Sequence, residues 1–301
     1  MKIIAFDVGG TAIKFGLVDE NFEVLFSEEF PTNTYKDTDN MVLRAMEAKL
    51  KEYEGQYDAI GISTAGQVDI ETGTINDGVG NIPNYNHTCL RVFEKEFGVP
   101  VAVDNDVNCA AIGEAHFGAA RGEKDFLCLT YGTGVGGCIY INGDVYRGSR
   151  YAGGEMGHMA THKDGRPCTC GRIGCYEAYA ACRVFTTSVS ERMGKPMNGR
   201  QIFEPENLKN PIIIEEINNW EDEIALGLRN LCYIFNPSLI VLGGGIMSED
   251  MLIKDINEKV QAQLEDNYKH VRIVKAQLRN KAGMLGASWL ASERLKNYKK
   301  D

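Results

Sequence analysis

The chain opens with apolar runs broken by a glycine turn. Ile3-Ile4-Ala5-Phe6 leads through Asp7 and Val8 into Gly9-Gly10-Thr11, and a second apolar run follows from Ile13 to Val18. This reads as strand, tight turn, strand; Val24 to Phe30 adds a third strand that Pro31 ends. The period then changes. Val42, Ala45, Met46, Leu50 and Tyr53 recur at helical spacing between Met41 and Tyr53, while Lys49, Lys51 and Glu52 supply a wet face. Ala59 to Ser63 reads as a short buried strand before Ala65-Gly66, and Leu90 to Phe97 as a short helix. Val99 to Val103 is a strand ending at Asp104-Asn105-Asp106, and Val107 to Phe117 a helix. Strands alternating with helices predict an α/β fold with a largely parallel sheet.

The opening pattern then recurs. Ala119 to Lys124 is polar and glycine-containing, as a crossing between domains would be. After it, Phe126 to Tyr131 is a strand, Gly132-Thr133-Gly134-Val135-Gly136-Gly137 a turn, and Cys138 to Ile141 a strand. Two strand–turn–strand units in tandem predict two related domains, 1–118 and 119–283, each holding phosphate at its hairpin. Leu239 to Leu242 is a further strand, running into Gly243-Gly244-Gly245 and a helix around Met251 to Leu264. A last helix, Met284 to Leu295 within 284–301, can pack back on the first domain.

Composition narrows the class. The 301 residues are 44% hydrophobic and 25% charged, ample for a core, and the length suits about two domains. A net charge of −10 disfavours nucleic acid or an anionic membrane as the main partner. The N-terminus lacks the basic start and small-residue cleavage site of a signal peptide, and no stretch is long enough for a membrane span. A cytoplasmic location is therefore expected. Of nine cysteines, six (Cys89, Cys109, Cys128, Cys138, Cys182, Cys232) stand singly among apolar neighbours and read mostly as small buried hydrophobes.

Five motifs carry chemistry. Glycines after a strand, as in Asp7-Val8-Gly9-Gly10-Thr11, let backbone N–H groups approach phosphate; Thr11 adds a hydroxyl, and Asp7 could hold magnesium through water. Neither a Walker loop nor a dinucleotide fingerprint is present, because no Gly-Lys-Ser/Thr follows and the next element is a strand. Gly132, Thr133 and Gly134 would serve the other phosphates, and Gly243, Gly244 and Gly245 a flat adenine or ribose. Asp104-Asn105-Asp106-Val107-Asn108 gathers carboxylates and amides at a strand end, where open sheets present ligand groups. Asp106 there could accept a hydroxyl proton while Asn105 binds a sugar; helix capping explains one of these residues but not all four. Asn81-Ile82-Pro83-Asn84-Tyr85 by itself reads as a surface turn.

The sharpest local signal is His158 with Cys168-Thr169-Cys170-Gly171-Arg172-Ile173-Gly174-Cys175. One imidazole and three thiolates in a glycine-containing loop fit a closed tetrahedral zinc site, structural because no position is left open. His162 is the substitute ligand. The loop would fix Glu155, His158 and Glu177, polar residues a sugar can use.

Together these residues resemble the ROK family (repressors, open reading frames and kinases) of the actin–hexokinase–Hsp70 superfamily. The elements are Asp7 to Thr11, Asn105 to Asn108, Gly132 to Gly137, Glu155-Met156-Gly157-His158 and Cys168 to Glu177, in family order over essentially the whole chain. The resemblance implies a two-lobed actin-like ATPase (ribonuclease H-like) fold with a structural zinc loop. It implies Asp106 as catalytic base, ATP with Mg2+, and sugar contacts from Asn81, Asn105, Asp106, Glu155, His158 and Glu177. His158 would bind zinc through one ring nitrogen and face the sugar with the other. It also suggests a homodimer. Family repressors carry a helix-turn-helix domain ahead of the first glycine motif, which here begins at Asp7, so a kinase is expected rather than a regulator. The expected reaction phosphorylates a hexose or hexosamine such as glucose or N-acetylmannosamine, at the 6-position. Alternatives are a β-glucoside or other hexose acceptor, or a catalytically silent sugar sensor.

Overall fold

The structure, a computed structural model, describes residues 1–36, 38–78 and 82–298. Asn81 lies outside the described residues. The chain divides into two compact units: Met1–Arg121 with Arg147–Gly153 and Asn280–Asp301, and Gly122–Tyr146 with Gly154–Arg279.

The first unit is built on β1 (Lys2–Val8), β2 (Ala12–Asp19), β3 (Val24–Pro31), β4 (Ala59–Thr64) and β7 (Val101–Asn105), with β5 (Gln67–Asp69) and β6 (Thr74–Asp77) as a separate hairpin. Its helices are α1 (Met41–Glu52), α2 (Val92–Phe97), α3 (Asp106–Phe117) and a C-terminal helix, Ala282–Asn297. The sheet runs β3-β2-β1-β4-β7, antiparallel through the first three strands and parallel from β1 through β4 to β7. Period-2 alternation sorts the faces of β1. Ile4, Phe6 and Val8 enter the core that α1 covers with Val42, Ala45, Met46 and Leu50. Ile3 turns the other way, into a small-residue cluster with Ala59 and Ala291, where the C-terminal helix packs on β1, β4 and α3. The Asn40 side chain starts α1 by accepting from the Leu43 N–H.

The second unit repeats this topology. It contains β8 (Phe126–Tyr131), β9 (Val135–Ile141), β10 (Asp144–Val145), α4 (Glu177–Ala180), α5 (Cys182–Met193), α6 (Gly199–Ile202), α7 (Pro211–Phe235), β11 (Leu239–Gly243), α8 (Asp250–Gln263) and β12 (Arg272–Lys275). The order β10-β9-β8-β11-β12 matches that of the first sheet, again antiparallel through the hairpin and parallel beyond it. Its core joins Leu127 and Leu129 of β8, Ile240 and Leu242 of β11, and Ile217, Trp220, Ile224 and Leu228 of α7. Helix α7 is the longest, and it starts where Asn210 caps the Ile212 N–H and Pro211 takes the first turn.

Several element ends shift by one or two residues from the sequence expectation, and two of the differences bear on the site. Strand β7 extends to Asn105, because Asn105 still pairs with Thr64. Strand β9 begins at Val135, so Gly136 and Gly137 lie in the ladder opposite Thr130 and Leu129 and the turn proper is Gly132 to Gly134. Among the lone cysteines, Cys109, Cys128, Cys138 and Cys232 are buried, whereas Cys89 is exposed and Cys182 half-buried. Among the described residues, no helix is long and apolar enough to cross a membrane.

Candidate active site

In the first unit, Asp7, Ser63 and Asp104 occupy one level of three adjacent parallel strands, near their carboxyl ends. Asp7 accepts a 2.7 Å hydrogen bond from the Ser63 hydroxyl and has Lys14 Nζ at 3.5 Å. The turn after it is hooked in place. The Gly9 N–H donates to Ala12 O at 2.9 Å, and the Thr32 hydroxyl donates to Gly9 O at 2.8 Å. Asp7 thus keeps an oxygen-rich, half-buried carboxylate beside a pinned Gly-Gly-Thr turn, which fits a hard dication and phosphate.

The Asp104–Asn108 cluster divides its labour. Asp104 is 1% exposed; its Oδ2 accepts from Arg147 Nε (2.9 Å) and Nη2 (2.7 Å), and its Oδ1 accepts from Asn105 N–H and Asn108 Nδ2. Asn105 caps α3, its Oδ1 accepting from the Val107 and Asn108 N–H groups, while its Nδ2 donates to Gly66 O. Asp106 is the first residue of α3 and half-buried, with Oδ1 accepting from the Val107 N–H at 2.9 Å. Asp106 thus sits at the N-terminal, partially positive end of a twelve-residue helix. Burial pushes the Cys109 thiol well above its ordinary value, and Asp104, Asp7 and Asp106 add to the shift, so one buried sulfur senses three carboxylates. The segment before this cluster is more than a surface turn. Tyr85 is fully buried with its hydroxyl 2.6 Å from Thr64 Oγ1, and burial followed by the nearby Asp106 charge raises its phenol.

In the second unit, the glycine turn and the cysteine loop meet at Glu177, the first residue of α4. Its Oε2 accepts from the Val135 N–H at 3.0 Å and its Oε1 accepts from the Thr169 hydroxyl at 2.9 Å. A Cβ on Gly134 would stand 2.2 Å from Glu177 Oε2, so a side chain there would displace the carboxylate from the turn. Arg183 secures the same turn, its N–H donating to Gly132 O and its Nε to Thr133 O. Glu155 is exposed and precedes the 3-10 turn Met156–His158.

His158, Cys168, Cys170 and Cys175 present ligand atoms that all lie within 4.8 Å of one another. Cys170 Sγ is 3.6 Å from Cys175 Sγ, and Cys168 Sγ is 3.8 Å from His158 Nδ1. A tetrahedral zinc with N and S ligands sets donors roughly 3.3–3.8 Å apart, so the four residues fit that ion. His162 is elsewhere: its ring stacks on Tyr179 at 4.0 Å, and Nδ1 is 3.1 Å from the Thr161 hydroxyl.

The third turn follows β11. Gly244 has φ +104°, and a Cβ there would fall 2.2 Å from the Tyr131 carbonyl oxygen, whereas a Cβ on Gly245 would meet nothing within 4 Å. Gly244→Ala is therefore expected to destabilise the chain by about 3 kcal/mol, with Gly245→Ala near neutral, as read from urea unfolding midpoints. In the same unit a cavity of about 770 Å³ is lined by Thr186, Ser190, Lys195, Met197, Asn198 and Gln201 among others, and Gly199, between the last two in sequence, faces Ile246, the residue after the turn.

The family profile settles the lineage: that of the ROK family matches residues 3–294. The chain belongs to the ROK family. A beta-glucoside kinase from Listeria innocua is 35% identical, with 95% of this chain and 96% of that protein covered. A glucokinase from Streptomyces coelicolor is 31% identical over 96% of this chain and 97% of its own. The crystal structure of a ROK family glucokinase from Streptomyces griseus, in complex with glucose and AMPPNP, superposes with a TM-score of 0.85 at 31% identity, covering 97% of this chain and all (100%) of that one. In this ROK chain the sequence reading found the glycine turns, the carboxylate cluster and the cysteine loop. Arg147, Ser63, Thr64 and Arg183 carried no such signal. Nothing local marks them, since each acts on a partner that only the sheets and loops bring near.

Proposed function

We infer that this protein is an ATP-dependent carbohydrate kinase, phosphorylating a hydroxyl of a hexose or hexosamine, with the 6-position expected. The observation that carries the reading is Asp106 at the first position of α3, at the carboxyl end of a parallel strand, in a ROK chain whose relatives are sugar kinases. Asp106 accepts the proton of the acceptor hydroxyl as its oxygen bonds to the γ-phosphorus of ATP. The bond from that phosphorus to the β–γ bridging oxygen breaks, and ADP leaves.

Asn105, Asn81, Glu155, His158 and Glu177 are proposed to hold the sugar. Two of these have prior engagements, since Asn105 caps α3 and Glu177 ties Val135 to Thr169, so they would meet a sugar through remaining donor or acceptor capacity. Gly9, Gly10 and Thr11, with Gly132, Thr133 and Gly134, are proposed to receive the phosphates. Gly243, Gly244 and Gly245, with the adjoining cavity, suit the adenosine. Asp7 would hold Mg2+, which neutralises charge developing on the phosphates. His158, Cys168, Cys170 and Cys175 would hold a structural zinc. His158 Nδ1 faces the thiols, which leaves Nε2 for the sugar. The reading includes a cytoplasmic setting and a homodimer, the latter measurable by light scattering.

The test is ATP-dependent phosphorylation across glucose, mannose, N-acetylmannosamine, N-acetylglucosamine and a β-glucoside, which the Listeria relative puts on the panel. Turnover on at least one is expected. Sugar binding without turnover on any would favour the sensor instead.

A further inference from the structure

We propose that Arg147 is a positioning residue for Asp106, acting through Asp104; the proposal rests on Asp106 being the base. Arg147 belongs to the segment Arg147–Gly153, where the chain rejoins the first unit between two stretches of the second. Its guanidinium is 11% exposed and forks onto one oxygen of a carboxylate that is itself 2% exposed. The other oxygen of Asp104 is occupied from the opposite direction, by the backbone of Asn105 at 2.8 Å and the side chain of Asn108 at 2.9 Å. Asn105 immediately precedes Asp106 and Asn108 lies two residues after it, and Asn105 in turn caps the helix that Asp106 begins. Arg147, Asp104, Asn105 and the first turn of α3 therefore form one continuous hydrogen-bonded path.

Two physical consequences follow from this path. Asp104 and Asp106 are carboxyl groups two residues apart, and the guanidinium pairs with the more buried one, whose side chain is 2% exposed. Two guanidinium donors also pin Oδ2 while the Asn105 N–H and the Asn108 amide hold Oδ1, so the carboxylate is gripped at both oxygens. A buried ion pair contributes little to stability compared with an apolar pair of the same shape, so stability alone is a poor reason for this one. Placing the base within a fraction of an ångström is a better one, because misplacement by about 1 Å costs about 100-fold in rate.

The experiment compares Arg147→Met, Arg147→Lys, the double variant Arg147→Met/Asp104→Asn, and Asp106→Asn, all in the full chain with ATP and the best acceptor of the panel. The readouts are kcat, both KM values, sugar affinity by calorimetry without nucleotide, and the thermal midpoint. Arg147→Met is expected to lose about 100-fold in kcat with KM for ATP within about threefold. Lysine recovers only part of this, because an ammonium cannot make the fork. The double variant removes the buried charge along with its partner. It is expected to regain the thermal midpoint but not kcat, a separation that a merely structural role would not produce. An unchanged kcat in Arg147→Met, or kcat returning with the midpoint in the double variant, overturns the proposal. Full turnover in Asp106→Asn would instead sink the base assignment. An inactive Asp106→Asn beside a fully active Arg147→Met would sink the Arg147 inference alone.

Discussion

Asp106→Asn is expected to lower kcat by about 10²- to 10⁴-fold while leaving sugar affinity within about threefold. The substitution keeps the size of the side chain and an oxygen for the Val107 N–H, which Asp106 Oδ1 accepts at 2.9 Å. Asn105 still caps α3, and Asp104 still holds Asn108. The one property removed is the ability to take a proton. An amide can still accept a hydrogen bond from the acceptor hydroxyl, so binding survives while the hydroxyl remains a poor nucleophile. Steady-state kinetics with calorimetric sugar titration would measure both quantities. Sugar affinity falling as far as the rate would show that Asp106 binds rather than catalyses.

Cys170→Ser is expected to lower metal content, thermal midpoint and sugar affinity together, with a midpoint drop of about 5 °C or more. The C-terminal end of the cysteine loop is anchored by buried Cys175 and by the Thr161 and His162 N–H groups, which donate to Gly174 O, but its middle is lightly held. Its own hydrogen bonds are short-range, among them Cys168 N–H to Arg172 O and Gly174 N–H to Arg166 O, each 2.8 Å. Cys170 itself is exposed, as is His158, so burial of these side chains cannot stabilise the loop. A metal bound by the four ligands would close it, and losing one thiolate weakens that closure. The effect should reach the sugar because His158 is a ligand and Glu177 bonds to Thr169 inside the loop. Elemental analysis with scanning calorimetry would read the first two quantities. Unchanged zinc and an unchanged melting profile would remove the case for the metal.

The pattern of the sequence carried much of the first unit. Apolar runs broken by Gly9-Gly10 and ended by Pro31 marked β1, β2 and β3, and the helical spacing of Val42, Ala45, Met46 and Leu50 marked α1. The second unit was read less completely. Helix α7 has no counterpart in the pattern assignment, although Asn210-Pro211 and the recurrence of Ile213, Ile217, Trp220, Ile224, Leu228 and Leu231 are legible in it. Strand β12 is different, since Arg272–Lys275 is four residues long and carries no alternation strong enough to stand out.

What the sequence determined by itself is local chemistry: a glycine turn after each opening strand, carboxylates and amides at the end of β7, and one imidazole with three thiols in a short loop. These follow from residue type and spacing, which act over a few positions. Tertiary structure decided which of these groups share a level or a partner. The strand order β3-β2-β1-β4-β7 sets Asp7, Ser63 and Asp104 side by side. Arg147 comes 43 positions later to neutralise Asp104, and Glu177 comes 42 positions after Val135 to close its turn. Such pairings depend on how sheets order their strands and on which buried charges need partners. Both are settled only when the whole core has formed, and no window of sequence contains them.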